Sequence, residues 1–87
     1  MDVLDCKIIK DILTNYYEYD VLYRFCIRIN YLIHEYQCGN ISRDDFIYFT
    51  DKYMNRCRES AIYDDEEIVL KKVDELEKTV KSFLEIF

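Results

Sequence analysis

The apolar positions of this chain recur at steps of three and four residues, the period of one face of an α-helix. Val3, Leu4, Ile8, Ile9, Ile12 and Leu13 mark a first helix over residues 3–15, with Asp2 placed to cap it. The run Thr14-Asn15-Tyr16-Tyr17-Glu18-Tyr19-Asp20 follows, rich in residues that favour turns or lose rotamer freedom in a helix, and it predicts a break. From residue 19 to 38 the stripe resumes as Leu22, Cys26, Ile29, Ile33 and Tyr36. Ile8, Ile12, Asn15 and Tyr19 keep the same register, so one continuous helix through the break is the alternative.

Gly39 stands where a helix C′ residue takes the left-handed conformation, which ends the second helix. Ser42 followed by Asp45 resembles a capping box, with Ile41 and Phe46 placed as a hydrophobic staple. A third helix is expected over 43–59, through Phe49, Tyr53, Met54 and Cys57, ending around Ser60 to Tyr63. Asp64 with Glu67 reads as another capping box, opening a last helix over 65–86. Its stripe is Ile68, Val69, Val73, Leu76, Val80, Phe83, Leu84 and Phe87.

Composition narrows the fold class further. Proline is absent and glycine occurs once, which cannot supply the turns of an all-β domain. Eighty-seven residues suffice for one core and are too few for two, so 1–87 is expected to be a single helical domain. The predicted architecture is all-α: an antiparallel bundle of four helices, or three if the first two are continuous. Charges interrupt every apolar stretch before it reaches membrane-spanning length, so no membrane association is expected. The opening Met1-Asp2-Val3-Leu4-Asp5 lacks the basic-then-apolar layout of a secretory signal, and a cytoplasmic location is expected.

Eighteen acidic residues against twelve basic ones give a formal charge of −6. Phosphate backbones attract Lys and Arg, so no nucleic-acid partner is expected, and a basic protein is the better match. Plain solubility is the competing explanation of the acidity. A helix-turn-helix around Gly39 would place Arg43-Asp44-Asp45 at the start of the recognition helix, against phosphates. That pair of carboxylates argues against DNA reading and fits ordinary helix-start chemistry.

Little else points to a chemical site. Cys6, Cys26, Cys38 and Cys57 contain no CxxC pair. In a reducing compartment they are small buried hydrophobes; a Cys26–Cys57 disulfide is the alternative, since folding back at Gly39 brings the two level. His34 and Cys38 share a helix face, yet one pair falls short of the four ligands of structural zinc, so neither metal nor cofactor is expected. A single histidine, no glycine-rich loop and carboxylates on regular helix faces give no catalytic constellation, and the chain is not expected to be an enzyme.

Nine tyrosines and five phenylalanines exceed what one small core needs on its inward faces. Tyr16, Tyr17, Tyr19 and Tyr23 cannot all point inward from one helix, and Tyr48 and Tyr63 fall outside the main stripes. Tyrosine beside carboxylate suits a protein-binding surface, because tyrosine offers large contact area at small entropic cost. Tyr63, Asp64, Asp65, Glu66 and Glu67 form the clearest such cluster, and with Asp74 they are the expected partner-binding residues. Helix capping and complementation of the dipole are the competing explanation of the cluster.

Two segments carry a resemblance. Gly39-Asn40-Ile41-Ser42-Arg43-Asp44-Asp45-Phe46 resembles the inter-helix segment of the colicin D immunity family, in which Ile-Ser/Thr is followed by Phe five positions after the Ile. Val80-Lys81-Ser82-Phe83-Leu84-Glu85-Ile86-Phe87 resembles that family's closing helix, Val-basic-Ser-apolar-Leu-Glu-x-Phe. The resemblance implies a four-helix immunity protein that binds a transfer-RNA-cleaving toxin domain, as related inhibitors do in contact-dependent growth inhibition. Such an inhibitor covers the basic substrate cleft with carboxylates in place of phosphates.

The leading expectation is therefore an acidic protein-binding inhibitor, an immunity protein that neutralises a basic RNA-cleaving toxin domain. The rival is a self-associating helical structural or adaptor protein, of viral or mobile-element origin. In it the Ile8-to-Tyr36 stripe and the Val69-to-Phe87 stripe would pair as a long hairpin and dimerise.

Overall fold

The computed structural model describes residues 7–86, which form α1 (Lys7–Asn15), α2 (Asp20–Gln37), α3 (Arg43–Tyr63) and α4 (Glu67–Ile86). The expected positions Asp2, Val3, Leu4, Cys6 and Phe87 lie outside the described residues. Among those residues the fold is an all-α antiparallel bundle, in which α2 packs on α1 and α3, and α4 packs on α3 and α1.

The break between the first two helices is real, and the continuous alternative is excluded. Tyr16 N–H closes the last turn of α1 on the Ile12 carbonyl at 3.0 Å, and Tyr19 N–H turns back to the Tyr16 carbonyl at 3.1 Å. A straight continuation of α2 would have carried Ile8, Ile9 and Ile12 beyond the α3–α4 pair into water. Folded back, all three are buried. Each contributes roughly 1.5–3 kcal/mol by burial, which outweighs the turn energy that a shared register could save. Lys72 of α4 locks the return: its ammonium bonds Asp11 at 2.9 Å and sits 4.9 Å from the Tyr16 ring centroid.

The core follows the stripes. Leu22, Cys26, Ile29 and Ile33 of α2 are buried against Phe46, Met54, Cys57 and Ala61 of α3 and Val69, Val73, Leu76, Val80 and Phe83 of α4. Thr50 is the buried polar residue among them, and its hydroxyl donates to the Phe46 carbonyl at 2.8 Å. Cys26 and Cys57 are not joined by a disulfide, so that alternative fails. Burial pushes the Cys57 thiol up to about 12, leaving a neutral, inert side chain in the core.

The end of the bundle that holds the α2–α3 turn forms as the sequence predicts. Cys38 ends α2, Gly39 takes φ 76°, and the amides of Gly39 and Asn40 bond the Tyr36 and Glu35 carbonyls in a Schellman motif. Ser42 Oγ then accepts from Asp45 N–H at 3.1 Å and opens α3. Tyr36, Phe46 and Phe83 close this end as an aromatic trio with centroids 5.0–5.9 Å apart. Arg43 donates to the Leu84 carbonyl at 3.1 Å, satisfying an orphan acceptor in the last turn of α4.

Along the flank between α3 and α4, Arg58 bonds both Asp74 and Glu77, and Lys81 bonds Glu77 at 3.0 Å. Those bonds from Arg58 and Lys81 hold the Glu77 carboxyl below its ordinary value. Asp11 is likewise held low, by its bonds from Asn15 and Lys72.

Candidate functional site

The opposite end of the bundle departs from the expected boundaries. α3 runs on through Tyr63, so Asp64 is its C-cap rather than the N-cap of the last helix, which begins at Glu67. Asp65 N–H bonds the Ile62 carbonyl at 3.3 Å and Glu66 N–H bonds the Ala61 carbonyl at 2.8 Å. This is a second Schellman motif, and its left-handed position is held by Asp65 at φ 56°. Only Gly39 could be recognised from sequence as such a terminus, because aspartate more often announces a helix start.

The correction changes what the acidic cluster means. Helix-start chemistry accounts for Glu66 and Glu67, which lie at the N-terminus of α4. It does not account for Asp64 and Asp65, which occupy the C-cap and C′ of α3, where the dipole disfavours carboxylates. Neither has an ion-pair partner among the described residues. Asp64, Asp65 and Glu67 are exposed and Glu66 is half-buried. Beside them Tyr63 is 90% exposed and Ile62 69% exposed, an aromatic and an aliphatic side chain standing in water at the edge of the acid.

Of the six residues expected to bind a partner, Tyr63 and the four carboxylates at 64–67 share this end. Asp74 does not. It lies seven residues, about 10 Å, farther along α4 and is engaged by Arg58 at 3.1 Å.

The structure adds two residues that the sequence reading missed. A recess of about 220 Å³ opens at this end, and Glu18 of the α1–α2 turn and Asp20 at the start of α2 line it together with Asp64 and Glu66. Its remaining lining is mainly apolar: Val21, Leu22, Cys57, Ala61 and Val69, with Tyr19 and Ser60 beside them. Asp20 is paired with Arg24 at 2.6 Å. The clue was present in the sequence, since acidic residues outnumber basic ones in both 1–20 and 63–87. An up-down-up-down bundle brings the α1–α2 and α3–α4 turns to one end. Glu18 and Asp20 from the first region thus share one recess with Asp64 and Glu66 from the second.

Chemically this face offers acceptors, negative charge and apolar area. Among the described residues no group of three or more His, Cys, Asp or Glu side chains could hold a metal ion. His34 and Cys38 lie 3.8 Å apart on the surface as an isolated pair. No helix among those residues is long and apolar enough to cross a membrane. Compared with known proteins, the chain matches no family model, no curated protein and no solved structure.

Proposed function

We propose that this chain is a binding protein whose acidic end captures a basic protein partner, acting as an immunity-type inhibitor that covers the substrate cleft of an RNA-cleaving toxin. The observation that carries the reading is the placement of Asp64 and Asp65. They are exposed carboxylates at a helix C-terminus, with no ion-pair partner among the described residues, beside a 90% exposed tyrosine. Folding gains nothing evident from them there, whereas a cleft built to hold RNA must be positive and is complemented by such a surface. The inhibitory role itself rests on the resemblance at residues 39–46 and 80–87.

The test is kinetic and uses the nuclease domain whose reading frame this proposal places directly upstream of the chain's own. Association should be fast, slow steeply with salt, and protect RNA at one inhibitor per nuclease. Replacing Asp64, Asp65, Glu66 and Glu67 together by Asn and Gln should slow association by more than about tenfold. An unchanged rate would remove this cluster as the steering surface, and unprotected RNA would end the inhibitor reading.

The self-associating alternative has lost its original motive and gained a smaller one. Of its two stripes, Ile8 to Tyr36 and Val69 to Phe87, the residues Ile8, Ile12, Leu22, Cys26, Ile29, Ile33, Val69, Val73, Leu76, Val80 and Phe83 are buried inside the monomer. The smaller one is the pair Ile27 and Tyr31, 44% and 61% exposed one turn apart on α2. A sedimentation coefficient independent of concentration would exclude association through that face.

A further inference from the structure

Acidity alone would not single out any point on this end; the recess does so by its shape and floor. Its walls come from α2, α3 and α4, and its volume of about 220 Å³ lies below the ~300–1,000 Å³ of small-molecule sites. It is room for a side chain rather than a cofactor. The floor is built from buried or half-buried apolar groups, including the neutral Cys57 thiol. The lining carboxylates come from two turns that are far apart in sequence. Among the described residues no cation lines the recess: Arg24 lies outside it on Asp20, and Arg58 bonds Asp74 and Glu77 on the flank facing α4.

An apolar bed bordered by carboxylates is the complement of one long side chain with an aliphatic stem and a cationic end. Between the two candidates, guanidinium is the more weakly hydrated and presents a rigid fork of donors that suits carboxylates approaching from more than one side. We infer that the recess bordered by Glu18, Asp64 and Glu66 receives one arginine side chain of the basic partner. The stem lies over Val21, Ala61 and Val69, and the guanidinium bonds the carboxylates of the two turns. This deepens the reading of the acidic end as a partner surface and rests on it. It turns a diffuse electrostatic attraction into a point of specificity.

The experiment compares substitutions that change charge equally but differ in position. Glu18→Gln and Glu66→Gln remove carboxylates that line the recess, whereas Glu67→Gln removes a neighbour that does not. The isotopically labelled protein is titrated with a Gly-Ser peptide holding a single arginine, and with the same peptide holding citrulline. The arginine peptide should perturb the amides of Val21, Ala61 and Val69, and citrulline should not. Each lining variant should weaken arginine-peptide binding by about tenfold, the loss of one charge-assisted hydrogen bond, and Glu67→Gln by no more than about twofold.

Equal losses at all three positions, or equal shifts with citrulline, would overturn the assignment. The two levels of inference fail separately. If the single-arginine peptide does not bind but a hexa-arginine peptide does, with steep salt dependence, the recess is wrong and the basic-partner surface stands. If neither peptide binds, both fall.

Discussion

Two helices of this bundle, α2 and α3, end in the same Schellman motif with different residues in the strained position. At the end of α2 the left-handed residue is Gly39 at φ 76°, followed by a serine cap and roofed by Tyr36, Phe46 and Phe83. At the end of α3 it is Asp65 at φ 56°, in a run of four carboxylates beside exposed Ile62 and Tyr63. The backbone problem is identical at both ends. One is solved with the residue that suits it best, the other with a residue that is tolerated there and carries charge. Regions that break local rules without a compensating contact are where selection for something other than stability is expected.

The largest effects should fall at the α2–α3 end. Phe46 is fully buried, stacks on Tyr36 at 5.0 Å and meets Phe83 edge-on at 5.8 Å, so it joins three helices. Phe46→Ala should cost about 3–5 kcal/mol by chemical denaturation, from lost transfer energy plus the cavity left behind. Phe49, three residues on and 37% exposed, is the control: Phe49→Ala should cost well under half as much. Similar losses at the two would mean that the aromatic trio is not the keystone of this end.

Gly39→Ala probes the backbone alone. A Cβ built on Gly39 meets nothing within 4 Å, so no steric clash complicates the result. The left-handed conformation costs an L-residue about 1–2 kcal/mol, offset in part by the lower entropy of the unfolded alanine chain. A net loss of about 1 kcal/mol is expected, read as a shift in denaturation midpoint at constant slope.

Much of the fold was legible because it depends on periodicity. The stripes Leu22-Cys26-Ile29-Ile33 and Val69-Val73-Leu76-Val80-Phe83 name their own buried faces, and glycine and serine punctuate one turn unambiguously. The other connections were harder for a physical reason. Whether α1 continues into α2 is decided by what Ile8, Ile9 and Ile12 can reach in three dimensions, not by their register. The end of α3 is decided by a residue type that serves both as N-cap and, less well, as C′. The acidic face was half legible. Asp64 to Glu67 stand out as a run, while Glu18 and Asp20 join them only through the antiparallel topology.

The ion pairs that α4 makes with α3 and with α1 give a smaller, pH-dependent contribution. Glu77 and Asp11 have their carboxyls held below their ordinary values of 4.5 and 3.8 by bonds from Arg58 and Asn15 first, and from Lys81 and Lys72 next. A pKa lowered by folding means that the stabilisation is present above the unfolded value and is lost as pH falls through the folded one. Stability should therefore be insensitive to these two groups above about pH 5 and decline below it. Glu77→Gln should lower stability by about 0.5–1 kcal/mol at neutral pH, a modest figure because both partners are partly exposed, and should flatten the acid limb. An acid limb as steep as that of the parent would assign it to other carboxylates.

The smallest effect is the most telling, because it should reverse sign between folding and binding. Asp65→Gly places in the second Schellman motif the residue that the first already has. It relieves the left-handed strain and removes a carboxylate from the negative end of α3, while the more flexible unfolded chain takes back part of the gain. A net stabilisation of about 0.5 kcal/mol is expected, less than Gly39→Ala loses, because aspartate tolerates this conformation better than alanine does. Asp65→Asn separates the two contributions, since it removes the charge but keeps a side chain at φ 56°. If the acidic end is a partner surface, both variants should associate more slowly with a basic partner, although one folds more stably than the parent. If Asp65→Gly destabilises the fold, the aspartate serves the turn, and the contrast between the two helix ends is one of local structure rather than of function.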